Sequence, residues 1–398
     1  MALAAAIGIG RFVYTPILPL MVEDLGMTKG TAGLLASANF AGYLAGALLA
    51  ATPVVSGSRR RWLLAGLTVS ALTTGAMAFV SSIPVFAVLR FTGGVASAFG
   101  LVFASALVLD MGGLATGPPS PPDARSAPAK PWRSSKYSDR LLAAAGRSEL
   151  SAVHFAGVGV GIAVSAVISS GIGTLGGGWR AIWLAGGGVS IVAVGAVARL
   201  IPDRSGPAVV TGSRPHRIDR RLAAFVVAYG LFGFGYIITA TFLVAIVRDG
   251  AHGRAFEPIV WLVVGLTAAP SVAFWTWIAR RVGIARAFAL ACLAEAVGVA
   301  ASVLQTATAV LLGSALLGGT FMGLTALGLI GARRLSTGDP RSTLAIMTAA
   351  FGLGQIAGPT FAGLVHDATA SFVLPSLTAV AALLVGALLA MTTHERTA

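Results

Sequence analysis

GIGRFVYTPILPLMVED, residues 8–24, and GFGYIITATFLVAIVRD, residues 233–249, are one pattern written twice. Gly8, Gly10 and Asp24 fall on Gly233, Gly235 and Asp249 at an offset of 225 residues. The same offset lays Gly93 and Gly94 on Gly318 and Gly319. Further on, AGVGV (156–160) returns as FGLGQ (351–355), now at an offset of 195. The difference is 30 residues, which is the length of segment 111–140. The simplest account is a duplicated apolar unit whose first copy carries an insertion.

The chain has 398 residues, 56% hydrophobic and 11% charged, with a mean hydropathy of +0.86. A soluble domain carries about a quarter of its residues charged, so the lipid bilayer is the expected surroundings. Apolar runs of about 20 residues, enough to cross a hydrocarbon core, number twelve. They cover 2–22, 30–52, 62–80, 84–109, 151–171, 179–199, 221–247, 258–279, 284–304, 307–331, 342–365 and 370–391. The fold class is therefore all-α membrane protein, two six-helix repeats, which the family resemblance given below implies are arranged around a central cavity. The first run has no basic leader and no small-residue cleavage site, which marks a retained helix rather than a signal peptide. Met1 stands almost inside it, and a short polar leader is expected ahead of it.

The formal net charge of +14 would suggest nucleic acid in a soluble protein. Here 22 of the 28 Lys and Arg fall in alternate loops, against four in the others, with Arg11 and Arg90 inside spans. That asymmetry is a topology signal; it places both termini in the cytoplasm and excludes nucleic acid as a partner. Segment 111–140 holds six prolines and little apolar content, too little to bury a core, and is expected to be a disordered cytoplasmic insertion. The divisions are residues 1–110 plus 141–200, the insertion, a linker at 201–220, and residues 221–398. Cys292 is the single cysteine, so no intrachain disulfide forms. The histidines show no metal-ligand spacing, no phosphate loop appears, and no nucleophile stands beside a base. Neither a cofactor nor an enzymatic activity is expected.

A parallel duplication of six spans joined by a basic linker resembles the major facilitator superfamily. LRFTGGVASA (89–98) is similar to that superfamily's span-4 pattern, with Arg90, Gly94 and Ala98 in place. SGSRRRW after span 2 and ARRVGIAR after span 8 keep the glycine and basic cluster of its gate motif but not the aspartate, Arg280 standing at that position in the second copy. Glycine-rich span 5 lacks the Gly-Pro of the drug/proton antiporters; Gly358-Pro359 lies in span 11 instead. GIGRFVYTPILPLM resembles the opening of the uncharacterised bacterial YbfB/YjiJ-type branch. The resemblance implies a multi-pass transporter of the bacterial inner membrane, working by alternating access on a small-molecule substrate, with spans 1, 4, 7 and 10 lining its cavity.

Arg11 lies roughly 15 Å along span 1 at 1.5 Å per residue. A charge at that depth costs about 2.5–3.5 kcal/mol on insertion scales, so it reads as a substrate contact or as an anchor on carbonyls loosened by Gly8, Gly10, Pro16 and Pro19. Its repeat mate is Tyr236. Tyr14, one turn on, either bonds a ligand or caps the arginine, and Tyr229, Phe232 and Phe321 either line the cavity or pack. Arg90 carries the family's association with proton coupling or gating, or snorkels outward. Glu295 is the one acid well inside a span; the resemblance puts span 9 at the periphery, favouring a structural hydrogen bond over a proton site. His154 and Gln355 are further candidates for coupling or gating, and Asn39 is expected to bond across helices. Two intramembrane cations with few intramembrane acids lean toward an anionic solute. The alternatives are proton-driven export of lipophilic compounds and a membrane sensor that binds without transporting.

Overall fold

The computed structural model describes residues 1–52, 54–114, 135–201, 219–250, 253–336 and 340–393. Span 1 opens as a π-helix, Ala4–Ile9, and continues as α1 (Tyr14–Leu25). Then follow α2 (Lys29–Ala50), α3 (Arg59–Ala76), α4 (Ile83–Leu114), α5 (Ser135–Thr174) and α6 (Trp179–Leu200). The second half is α7 (Arg220–Arg248), α8 (Glu257–Val282), α9 (Ile284–Ser302), α10 (Ala307–Leu335), α11 (Pro340–Thr369) and α12 (Val373–Thr392). Twelve helical segments among the described residues are long and apolar enough to span a membrane, and their limits fall within a few residues of the apolar runs.

Local chemistry sets several boundaries. The Thr28, Ser58, Asp219 and Thr306 side chains accept from the backbone N–H three residues on, at the starts of α2, α3, α7 and α10. Such caps satisfy donors the first turn leaves orphaned. Gly26 ends α1 at φ +61°, the left-handed conformation that glycine adopts without a Cβ penalty. Residues 111–114 continue α4 and residues 135–140 open α5, so helix intrudes on both ends of the stretch read as an insertion. Pro131 is the last proline of that stretch, and beyond it nothing forbids helix. Residues 115–134, and 202–218 of the linker, lie outside the described residues.

The break in span 1 has a cause in the sequence. Pro16 has no N–H to give the Phe12 carbonyl, and Thr15 N donates to it instead at 3.2 Å. Upstream, Gly10 N donates to Ala5 O (2.9 Å) and Phe12 N to Ile7 O (3.2 Å), five-residue bonds that widen the turn. Helix α5 lies against the widened part. A Cβ at Gly8 would stand 2.5 Å from Gly161 Cα, and one at Gly161 would stand 2.3 Å from Ala4 O. Only two glycines allow that approach.

The halves meet chiefly through α2 against α11 and α5 against α8, with α1 and α7 touching on the midline. The Thr15 hydroxyl donates to the Ala240 carbonyl at 2.8 Å, and Arg248 reaches Glu23 at 3.0 Å. Both pairs are separated by the repeat offset of 225, so repeat mates face each other across the junction of the halves. Between α2 and α11, Ser37 donates to Ile356 O (2.6 Å) and accepts from Thr360 (2.8 Å). Between α5 and α8, Trp261 Nε1 donates to Ser165 Oγ at 3.0 Å.

The halves are also clasped at the face carrying the α1–α2, α7–α8 and α11–α12 turns. Glu23 pairs with Arg248 and with Arg254 (2.9 Å), and Lys29 with Asp249 at 3.8 Å. Asp367, at the end of α11, accepts from the backbone N–H groups of Lys29 (3.0 Å) and Gly30 (2.9 Å). A carboxylate there meets both free donors and the positive end of α2.

Candidate functional site

Arg11 sits where the π-helix gives way to α1 and is 5% exposed. Its guanidinium carbon lies 4.1 Å from the Tyr43 ring centroid and 5.3 Å from that of Phe40, both on α2. Nε and Nη2 find no hydrogen-bond partner among the described residues. These two nitrogens form the side-on edge of the guanidinium, the fork that receives a carboxylate bidentately. A desolvated cation–π contact supplies about 2 kcal/mol, whereas a donor left unpaired in a buried site costs about 1–3 kcal/mol, and more when it is charged. The rings hold the arginine in place. The Tyr43 side chain also hydrogen-bonds to the guanidinium, and Nε and Nη2 are what remain open among the described residues.

The opposing wall comes from the second half. The ring of Phe12, beside Arg11, meets that of Phe321 at 5.9 Å, and Phe321 stacks within 6° of parallel on Tyr236. Tyr236 is 2% exposed, lies within electrostatic reach of Arg11, and its hydroxyl accepts a short hydrogen bond from Gln355 Nε2. Phe12, Tyr236, Trp261 and Phe321 line a void too small for a water molecule. The stack continues through Phe351 and Phe232 to Tyr229, whose hydroxyl donates to Thr325 O at 3.4 Å.

Arg90 is 2% exposed and does not snorkel: its guanidinium carbon stands 4.6 Å over the Tyr14 ring, and Nε donates to Leu35 O at 3.4 Å. Tyr14 thus belongs with Arg90 rather than with Arg11, and its hydroxyl is committed to Ala32 O at 2.9 Å. Asn39 bonds across helices, donating to Arg90 O at 2.8 Å. Arg11 and Arg90 lie within electrostatic reach of each other. His154 Nε2 shares a hydrogen with Ser105 Oγ on α4 at 3.1 Å. Glu295 is wholly buried, and neither carboxyl oxygen has a hydrogen-bond partner among the described residues. Thr320 lies beside it, but that hydroxyl donates to Leu316 O at 2.6 Å. Tyr236 is within its electrostatic reach.

The structure therefore brings Tyr236, Phe321 and Gln355 together, with Phe232 and Tyr229 extending the wall, and sets Arg11 within electrostatic reach of Tyr236. It holds Tyr14 and Arg90 as a separate pair and His154 against α4. Sequence reading missed Phe12, Phe40, Tyr43, Trp261 and Phe351. Asn39 and Tyr43, one turn apart on span 2, were the available signal for the α2 face.

Similarity to known proteins bears on what such a site serves. A profile described as "Uncharacterised MFS-type transporter YbfB" matches residues 3–117 and 135–391. Among solved structures, a point mutant of the nucleoside transporter NupG superposes with a TM-score of 0.72 at 13% identity, covering 99% of this chain and 98% of that one. At that identity the likeness shows the fold alone. No curated protein sequence matches the chain. A twelve-span duplicated bundle, clasped at one face around a buried cation, belongs to the major facilitator superfamily, and within it this chain is a member of the YbfB-type family of uncharacterised transporters.

Proposed function

We propose that this transporter carries a small organic anion, a carboxylate, and that Arg11 is the residue that binds it. The observation that carries the reading is the vacant Nε–Nη2 edge of a buried guanidinium at the junction of the two halves. A ligand charge arriving there offsets the cost of holding Arg11 in the membrane and touches both moving bodies. Alternating access needs such a shared site near the midplane. The loop charges favour cytoplasmic termini in a bacterial inner membrane, which makes the clasped face the outer one and the conformation closed to the outside. Coupling to a proton would run through Glu295, which shares the neighbourhood of Tyr236 with the anion site.

The test is a thermal-shift screen of purified wild type, Arg11→Ala and Arg11→Lys against small carboxylates, lipophilic cations and neutral lipophiles. A ligand at a hundredfold excess over Kd stabilises by about 2.7 kcal/mol. Carboxylates are expected to stabilise wild type, weakly stabilise Arg11→Lys, whose point charge lacks the fork, and leave Arg11→Ala unchanged. Equal stabilisation of all three proteins by lipophilic cations would reject the anion reading in favour of an exporter of lipophilic compounds.

A further inference from the structure

A second polar group at the junction is as incomplete as Arg11, and it lies in the opposite half. Gln355 on α11 is wholly buried; its Nε2 donates to the Tyr236 hydroxyl, and Oε1 has no partner among the described residues. Two independent routes bring it to Arg11. Through α7, its partner Tyr236 is within electrostatic reach of the guanidinium and stacks on Phe321, which touches Phe12. Through α2, the carbonyl of the next residue, Ile356, accepts from Ser37, and Ser37 is one turn from Phe40, the ring beneath Arg11. Across the junction, then, two N–H donors of a cation and one amide atom have no partner among the described residues, with Tyr236, Phe321 and Phe12 packed nearby around a void too small for water in this conformation.

We infer that the substrate is a hydroxy-substituted carboxylate, its carboxylate on the Nε–Nη2 edge of Arg11 and its hydroxyl on the side-chain amide of Gln355. The inference rests on the anion reading above and adds a second recognition point to it. An amide left unpaired in a dry site costs free energy that a matching ligand group recovers and a CH₂ group does not. Of the neutral groups that meet it, a hydroxyl both donates and accepts. It satisfies Gln355 whether Oε1 or Nε2 is the free atom. An ammonium substituent is disfavoured: Arg11 and Arg90 already place two cations here, and among the described residues no acid pairs with either. Bridging Arg11 in one half to Gln355 in the other also means the substrate draws the two bodies together.

The experiment uses matched acids that differ at one carbon: propionate, lactate and pyruvate, and 3-phenylpropionate, phenyllactate and phenylpyruvate. Their binding to the purified full-length protein is measured by thermal shift over a concentration series. In wild type the hydroxy acid of a set is expected to bind about tenfold or more tightly than its deoxy analogue, the selectivity of a site built to bond a substrate hydroxyl. In Gln355→Leu the two are expected to bind alike, while carboxylate binding and its dependence on Arg11 persist. Tyr236→Phe, which removes the hydroxyl that fixes the amide, is expected to narrow the preference, and it guards against misfolding of Gln355→Leu. A deoxy acid that binds as tightly as its hydroxy analogue in wild type overturns the inference and leaves the anion reading intact. Preference for the keto acids also overturns it, since the amide is then a dedicated donor. Failure of every carboxylate to bind wild type overturns both.

Discussion

At the scale of single residues, the molecule turns on the difference between holding a charge and satisfying it. Tyr43 and Phe40 hold Arg11 by their ring faces, Tyr43 also by a side-chain hydrogen bond, and two of its donors have no partner among the described residues. Tyr43→Leu removes the closer face. It is expected to lower stability by about 1–2 kcal/mol, the scale of a desolvated cation–π contact, and to weaken anion binding through the loosened arginine. A denaturant or thermal titration with and without carboxylate separates the two effects. Glycines give a sharper steric test. A Cβ at Gly161 lands on the backbone of the π-helix, so Gly161→Ala is expected to cost about 1–3 kcal/mol. Gly171, on the same helix, faces open space, and Gly171→Ala is expected to be neutral or slightly stabilising. Equal melting temperatures for the two variants would contradict the packing described here.

Elements differ in how far the sequence disclosed them. The twelve spans were legible because length and hydropathy alone decide them, and their limits moved little between sequence and structure. Arg11 was legible as a cost, because a charge in an apolar run has no cheap placement. What answers that cost was not legible: Tyr43, Phe40 and Gln355 lie on α2 and α11, and hydropathy does not fix the rotation of a helix about its own axis. Tyr14 shows the same gap, since one turn of spacing put it beside Arg11 while the π-helical break turned it under Arg90. Pro16 was in view, but the register change it imposes depends on α5 closing over Gly8.

The clasp between the halves is also an element-scale device. The Glu23 pairs are part-exposed and on that account worth about 0–1 kcal/mol each. Asp367 on the α2 N-terminus is fixed by two backbone donors and is the stronger joint. Asp367→Asn is expected to open the clasped face more often than Glu23→Gln. With Cys292→Ser as background and Ser37→Cys as reporter, maleimide labelling is expected to accelerate several-fold in Asp367→Asn. An unchanged labelling rate would show that the cap does not hold the face shut.

For the molecule as a whole, the duplicated pattern sets its own copies face to face, Thr15 on Ala240 and Glu23 on Arg248. One half contributes a cation and the other an amide and a phenol, so the repeat supplies the frame and its divergence supplies the proposed site. The family match runs through both halves and skips residues 118–134, so deleting that segment is expected to leave flux unchanged, whereas a sensor signalling through it would lose its output. Whether Arg11 carries the substrate is decided by counterflow in proteoliposomes, using the carboxylate that best stabilises the purified protein. Wild type is predicted to exchange labelled for unlabelled anion saturably, Arg11→Lys several-fold more slowly, and Arg11→Ala not at all. Undiminished exchange by Arg11→Ala would show that the anion does not bind Arg11, and the assignment of the site would fall with it.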